Sequence, residues 1–390
     1  MKNVLIINQS AELYGADKAL LELIENFPEN YVPIVVLHQE GPLKKRLEEL
    51  GIKVIKSSVI KVKRGILTPA FFLKLPFETI RSIYKIRKEL KGIEISIVHS
   101  NAISVFIGAF YSLFLRKKHI WHVHEIIEHP EFLAKIYPKV VFLLSNRIIF
   151  NSNASFGQFL KMKSNVAKKS IIIHNGQKRL VEKTSEKDIK EIKRTFFKTA
   201  HEEDVVIGLV GRISRLKGQK LLLKSFRMLL AKHPNIHLVY IGSAPDGQEH
   251  YLENLMGKIN EYGLSLKVTV IDFQENIWPF YDAIDIAVVP STEPESFGLV
   301  ATEAMLSTKP VVGSDIGGLT EIIIPGQTGY LFKNKDAEDL ANKLELLLLH
   351  PNDRKTFGEK GQQRVSNAFS TEKYVNGIEK IYSETISGSF

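Results

Sequence analysis

Residues 290–303 read PSTEPESFGLVATE, and the order of elements around them decides the fold. Upstream, DAIDIAVVP (282–290) is apolar after Ala283 except at Asp285, the pattern of a parallel strand buried on both faces. Downstream, LVATEAML (299–306) has helical spacing and no breaker. The order is strand, polar loop, helix N-terminus. A helix starting near Gly298 turns unpaired amides, and the positive end of its dipole, toward the loop, which suits a phosphate. Glu295 stands on the loop and Glu303 inside the helix, with seven residues between them. A carboxylate only accepts hydrogen bonds and can take two hydroxyls at once, so the pair fits a polyol better than an anion. A phosphate site beside two such carboxylates is a site for a sugar nucleotide. The plain alternative is a loop charge and a solvated helix glutamate.

The spacing E-x7-E, followed by EAM at 303–305, PVV at 310–312 and Gly317-Gly318, resembles the donor site of family 4 of the retaining glycosyltransferases, or glycosyl transferases group 1. The resemblance covers nearly the whole chain. It implies an α/β fold of the GT-B type: two Rossmann-like, doubly wound domains facing across a cleft. The expected boundaries are 1–178 for an acceptor-binding domain, 179–370 for a nucleotide-sugar domain, and 371–390 for a terminal helix that crosses back to the first. For the site it implies that Glu295 holds sugar hydroxyls and Glu303 the ribose diol. Ser296, Phe297, Gly298 and Leu299 then line the diphosphate end of the donor.

Composition sets bounds on this reading. With 390 residues the chain has room for two domains. It has no cysteine, which excludes disulfides and thiolate metal sites and fits a reducing compartment. The longest apolar candidate, 102–115, is too short to span a bilayer, and MKNVLIINQS enters a strand without a cleavable signal pattern, so a cytoplasmic location is expected. The net charge of +10 is uneven: residues 1–178 carry +13 and the remainder −3. Such asymmetry points to an anionic partner for the first half. No nucleic-acid recognition module is present, so a membrane surface or lipid-linked phosphate is the better candidate. Within 56–91, ten Lys and Arg interleave with Ile66, Leu67, Phe71, Phe72, Leu73 and Phe77. That mixture suits either an interfacial segment on anionic lipid or a helix pair with a solvated basic face.

Strands are expected at 4–7, 33–38, 53–55, 95–99, 120–124, 147–151 and 170–174, with helical patterns between them. The loop NQSAELYGAD after the first strand lies where ligands collect in such folds. The family has paired glycines there; this chain has only Gly15, which is the expected donor contact unless the loop is a plain turn. WHVHE ends the fifth strand, and the resemblance implies that His124, followed by the acid Glu125, reaches the donor sugar, with His122 as competitor. The polar stretch 177–204 is read as a linker plus the first helix of the second domain, and a second sheet is expected at 205–210, 237–241, 268–271, 286–289 and 310–313. Arg212 and Lys217, in GRISRLKG, follow its first strand, where two cations can neutralise a diphosphate leaving group in place of a metal ion. Phe273 stands where the family packs its base. Gln274, Ser296 and Thr308 occupy positions where the family has glycine, so each is expected to bear on the donor pocket.

Competing classes lack their motifs. There is no G-x-G for a dinucleotide enzyme, no G-x4-G-K-[ST], and no Asp-x-Asp metal grip. The expectation is a retaining, metal-independent hexosyltransferase that needs no cofactor and uses a nucleotide sugar as substrate. Its acceptor would be a lipid-linked or cell-envelope saccharide. Peripheral attachment to the inner face of the membrane through 56–91 goes with it. A catalytically inactive GT-B subunit that only binds or scaffolds is the alternative.

Overall fold

Strand and helix alternate through the chain in two successive sets. A computed structural model describes residues 1–59, 69–128, 130–198 and 200–389, with the side chains of 69–74 outside the description. The chain forms two compact units, Met1–Gly176 with Phe369–Phe390, and Gln177–Ala368. Among the described residues no helix is long and apolar enough to cross a membrane.

The first unit runs β1 (Lys2–Ile7), α1 (Gly15–Glu25), β2 (Tyr31–Leu37), α2 (Pro42–Glu49), β3 (Lys53–Lys56), α3 (Pro69–Glu89), β4 (Ile95–Ser100), α4 (Phe106–Leu115), β5 (Lys118–Val123), α5 (Glu131–Leu144), β6 (Arg147–Phe150), α6 (Asn153–Met162) and β7 (Ser170–Ile172). The sheet order is β3-β2-β1-β4-β5-β6-β7, every pair parallel. Val4, Leu5, Ile6 and Ile7 are fully buried, as a central parallel strand covered on both faces requires. After β3 the chain returns past β1 to begin β4. The winding direction therefore reverses between β1 and β4, whose last residues Ile7 and Ser100 are register partners. The carboxyl ends of such a strand pair open the crevice where α/β sheets hold ligands.

The second unit runs α7 (Glu186–Phe196), β8 (Val205–Val210), α8 (Gln219–Leu230), β9 (Ile236–Ile241), α9 (His250–Glu261), β10 (Val268–Ile271), α10 (Trp278–Ala283), β11 (Ile286–Val289), α11 (Leu299–Leu306), β12 (Val311–Ser314), α12 (Leu319–Ile322), β13 (Gly329–Phe332), α13 (Ala337–Leu349) and α14 (Pro351–Ala368). Its parallel sheet has the order β10-β9-β8-β11-β12-β13, with the reversal between β8 and β11. Asp285, the polar interruption beside the apolar run, accepts a hydrogen bond from the Val206 amide at 2.8 Å and so ties these two strands.

The last helix, α15 (Thr371–Ser387), packs in the first unit. Tyr374, Ile378, Ile381 and Tyr382 recur at helical spacing and join Leu20, Ile24 and Tyr31 in one core cluster. Gly176 makes this approach possible, since a Cβ there would lie 2.6 Å from Tyr374 Cβ and 2.7 Å from Thr371 Cα. The stretch entering the second unit, which includes the expected first helix α7, is held in place by an ion pair. Arg179 grips both oxygens of Asp282 at 2.7 Å and donates to Ser307 Oγ at 3.1 Å, and both members of the pair are buried. Burial alone would raise the Asp282 carboxyl, but Arg179 and the Thr184 amide hold it below its ordinary range.

Candidate active site

The loop between β11 and α11 is built by its neighbours. Gly298 ends it at φ +119°, and a Cβ there would lie 2.8 Å from Leu319 Cδ2, so only glycine turns the chain into α11 without strain. Gly317 and Gly318 pack on the same loop: Gly318 donates to the Glu295 carbonyl at 2.7 Å, and its missing Cβ leaves room for the Phe297 Cα. The glycine pair thus supplies a backbone turn that holds Glu295.

The loop after β8 is joined to it. Thr292 donates its amide to the Leu216 carbonyl at 2.8 Å, and Gly218 packs directly on Pro290. Lys217 Nζ then lies 2.5 Å from Glu295 Oε1, which also accepts from Ser291 Oγ at 2.5 Å. Burial would raise the Glu295 carboxyl; Lys217, Ser291 and the charge of Arg212 outweigh it and hold the group below its ordinary value. Arg212, exposed, follows Gly211 at the end of β8, and its carbonyl accepts from Gln219 Nε2 at 2.8 Å. Lys217, Glu295 and the charge of Arg212 are thus brought together at the reversal of winding. Ser291 was not legible as part of this group.

Glu303 points into the unit. It is 3% exposed, and its Oε2 accepts from the hydroxyl of Tyr281, on α10, at 3.0 Å. The Phe297 side chain is buried, so what this residue offers the loop is backbone, while Ser296 and Leu299 are half-buried. Phe273 is 60% exposed beyond β10, its amide donating to Ser243 Oγ at 2.9 Å. Because β10 lies two strands from β8, Phe273 stands about 10 Å along the sheet edge from the Lys217 loop. Gln274 bonds back to the Asp272 carbonyl at 3.2 Å. Thr308, expected to bear on the donor pocket, instead follows the far end of α11, about 12 Å along the helix from the loop. It holds φ +57°, a left-handed conformation that disfavours a β-branched residue.

In the first unit, His124 lies one residue past β5 rather than inside it. The ladder to β6 closes at Val123–Phe150, and the His124 amide turns to Glu125 Oε2 at 3.1 Å. His124 Nε2 is 3.0 Å from Asn101 Oδ1. Asn101 in turn donates to Asn8 Oδ1 at 2.9 Å, and Asn8 to Asp17 Oδ1 at 2.8 Å. None of Asn8, Asn101 and Asp17 was singled out in the sequence. His122 lies 3.9 Å from His124 at a tilt and stacks 5.4 Å from His99, and among the described residues neither of its ring nitrogens has a hydrogen-bond partner. Burial depresses His99 and His124 to about 3, His119 to about 4, and His122 well below its ordinary value, so all four are neutral near pH 7. Burial raises Glu125 to about 7, against the pull of the Ile103 and His124 amides and of Gln9. Gly15 opens α1, and the Tyr14 amide before it donates to Asp17 Oδ2 at 3.2 Å.

Comparison with known proteins agrees with this fold. The chain is 30% identical over 189 residues, 48% of each chain, to the capsular polysaccharide biosynthesis glycosyltransferase CapM of Staphylococcus aureus. It spans about half the length of the first curated relatives it matches. Over 368 residues, 91% of this chain and 95% of the other, it is 29% identical to the uncharacterized glycosyltransferase MJ1178 of Methanocaldococcus jannaschii. The crystal structure of Anabaena Alr3699/HepE in complex with UDP-glucose superposes with a TM-score of 0.84 at 25% identity, covering 98% of this chain and all of that one. Residues 14–177 match the family model described as Glycosyltransferase Family 4, and residues 191–364 the one described as Glycosyl transferases group 1. With both doubly wound units matched, the chain belongs to the group 1, family 4 glycosyltransferases of GT-B fold.

Proposed function

We propose that the chain transfers a hexosyl unit, with retention and without a metal ion, from a UDP-sugar to a cell-envelope or lipid-linked saccharide. The observation that carries this reading is Lys217 held 2.5 Å from Glu295 at the winding reversal of the second unit, with Arg212 adding charge beside them. A half-buried carboxylate next to two cations supplies acceptors for sugar hydroxyls and positive charge for a diphosphate in one place. The UDP-glucose complex of Anabaena HepE supports the donor class, and the capsular role in the name of CapM supports the acceptor class. In the step we assign, the bond from the sugar's anomeric carbon to the diphosphate oxygen breaks. A bond to the acceptor oxygen forms on the same face, and the acceptor's proton passes to the leaving phosphate. Arg212, Lys217 and the amides at 297–299 stabilise the charge that grows on the diphosphate. Glu303 holds the ribose diol, Phe273 the base edge, and His124 a hydroxyl of the transferred sugar.

The test is turnover of UDP-glucose and related UDP-sugars in excess EDTA, with UDP affinity measured by calorimetry. Turnover is expected to persist under chelation. Glu303→Gln should weaken UDP binding about tenfold, since it loses a charged acceptor worth roughly 1.5–3 kcal/mol. Loss of turnover in EDTA with recovery in Mg²⁺ removes the metal-free reading, and unchanged UDP affinity removes the role of Glu303.

We also infer peripheral attachment of the first unit to an anionic membrane surface. Much of the basic segment first singled out, including Lys61, Lys63, Arg64, Ile66 and Leu67, lies outside the described residues, as do the side chains of Phe71, Phe72, Leu73 and Lys74. The described part of α3 supports the reading independently. Phe77, Ile80 and Tyr84 are 67%, 63% and 70% exposed at helical spacing, between the exposed Arg81, Lys85 and Lys88. Leu113 and Phe114 are exposed on the neighbouring α4, just before Arg116 and Lys117. Each basic residue near an anionic surface contributes about 1 kcal/mol. Wild type should float with anionic but not zwitterionic vesicles, and the Arg81→Glu, Lys85→Glu, Lys88→Glu triple variant should stay in solution while still turning over donor. Equal flotation of the variant would discard the surface.

A further inference from the structure

The hydrogen bonds that end on Asp17 run in one direction, and each can be oriented without reference to a ligand. Asn101 Nδ2 faces the Ala16 carbonyl at 3.4 Å, an oxygen that can only accept, so the amide nitrogen is on that side and Oδ1 is on the side of His124. Asn8 Nδ2 faces the Ser10 carbonyl at 2.8 Å, which fixes that amide in the same way and leaves its Oδ1 to accept from Asn101. Asp17 receives Asn8 on Oδ1 and the Tyr14 amide on Oδ2. The chain is therefore His124 Nε2–H to Asn101, Asn101 to Asn8, and Asn8 to the Asp17 carboxylate. Asn8 and Asn101 are fully buried, Asp17 is 1% exposed and His124 7%. Since Asn101 Oδ1 only accepts, the imidazole proton sits on Nε2. His124 Nδ1 then carries a lone pair, and among the described residues that buried atom has no hydrogen-bond partner. A buried acceptor left unpaired costs about 1–3 kcal/mol, and such groups persist where something else is to fill them.

We propose that Asn101, with Asn8 and Asp17 behind it, is the positioning residue that fixes His124 as the Nε2–H tautomer, so that Nδ1 accepts a hydrogen bond from a sugar hydroxyl. This rests on the glycosyl-transfer reading for the identity of the ligand, but not for the tautomer. The line of aligned donors polarises toward Asp17, which strengthens each bond and makes Nδ1 a better acceptor. His122, the competing imidazole, has no such partner on either nitrogen and so no fixed tautomer. The chain also joins the loop after β1, which holds Asn8 and leads to Asp17, to the ends of β4 and β5 at the winding reversal. Loop and imidazole are thereby placed as one piece.

The experiment is two-bond ¹H–¹⁵N correlation on protein labelled at histidine, with the His124 signal identified by its loss in His124→Gln, and UDP-glucose turnover measured from pH 6 to 8. Wild-type His124 is expected to be neutral and Nε2-protonated throughout. Asn101→Asp keeps the acceptor toward His124, loses the two donated bonds, and puts a charge beside the ring. Its His124 should take up a proton near neutrality and turn Nδ1 into a donor. Turnover relative to wild type should then rise about tenfold from pH 6 to 8 as the imidazolium discharges. A merely structural role predicts a uniform loss with no pH dependence. Should Asn101→Asp not fold, Asn101→Ala, which removes the acceptor on Nε2, is expected to let the Nδ1–H tautomer appear in the spectrum. A wild-type Nδ1–H signal, a flat relative profile in Asn101→Asp, or an unaltered tautomer in Asn101→Ala each overturns the proposal. The spectra need no substrate, so an inert wild type would remove the glycosyl-transfer reading and leave the tautomer decided separately.

Discussion

Lys217→Ala is expected to lower turnover of a UDP-sugar by about two to three orders of magnitude, the scale seen when one preorganised group facing developing charge is removed. Binding of UDP should weaken far less. The diphosphate gains charge as its bond to the sugar breaks, so a fixed cation counts for more in the transition state than in the bound substrate. The variant also leaves the half-buried Glu295 with its nearest cation gone. Only Ser291 and the charge of Arg212 then oppose the effect of burial, so the Glu295 carboxyl should rise and the pH profile of residual activity should move upward. Lys217→Arg is expected to restore little, because a planar guanidinium does not fit a position where Nζ lies 2.5 Å from one carboxylate oxygen. Steady-state kinetics alongside calorimetry decide the matter. If rate and affinity fall by the same factor, Lys217 serves binding alone.

Acidification from pH 6.5 to 5 is expected to loosen the first unit much more than the second. His99, His119, His122 and His124 have folded values lowered beneath the ordinary 6.5, so the unfolded chain takes up protons that the folded chain refuses. Their contribution is complete above about 6.5 and is lost as the pH falls toward 4, at about 1.4 kcal/mol per pH unit for each histidine. Two carboxyls act in the opposite sense: Glu125, raised to about 7, and Asp17, also raised, bind protons more readily when folded. Four histidines outweigh these opposing carboxyls, so the net uptake destabilises the unit by several kcal/mol over this range, at about 1.4 kcal/mol per proton per pH unit. In the second unit His237, lowered to about 4, acts over the same window. The lowered carboxyls Glu295 and Asp282 withdraw stability only as the pH falls below their unfolded values, near 4. Hydrogen exchange resolved to peptides should show β4 and β5 accelerating well ahead of β8 and β11. His122→Phe, which replaces an imidazole without partners by an apolar ring, should reduce the response by about one proton. Equal acceleration of both units, or an unchanged response in the variant, would show that the histidines do not control it.

Both predictions depend on contacts that differ in how far the sequence displayed them. The strands were legible because Val and Ile runs such as 205–210 and 286–289 bury both faces and leave no other reading. The Glu295 loop was legible because strand, loop and helix start follow one another within 14 residues. β13 was not, since GYLF is only half-buried and follows the turn PGQTG, so no apolar run marks it. Tyr281 escaped because its hydroxyl meets Glu303 across 22 positions, and a tyrosine in an apolar stretch reads as core. The amide chain to Asp17 escaped for a related reason. Asn8 and Asn101 are 93 positions apart and meet only because the sheet sets β1 beside β4. Local pattern gives elements and loops; which polar side chains face one another is a property of the strand order.

The placement of α15 bears on the order in which the protein is made. Leu20, Ile24 and Tyr31 leave the ribosome early, but Tyr374, Ile378 and Tyr382, which cover them, are translated only after the whole of Gln177–Ala368. At about 5–20 residues per second that interval lasts roughly 10–40 s. The second unit is contiguous in the chain and can complete its core within it, whereas the nascent first unit holds an apolar face open until α15 emerges. For that time the earlier half of the chain is the natural client of a chaperone, and the later half is not.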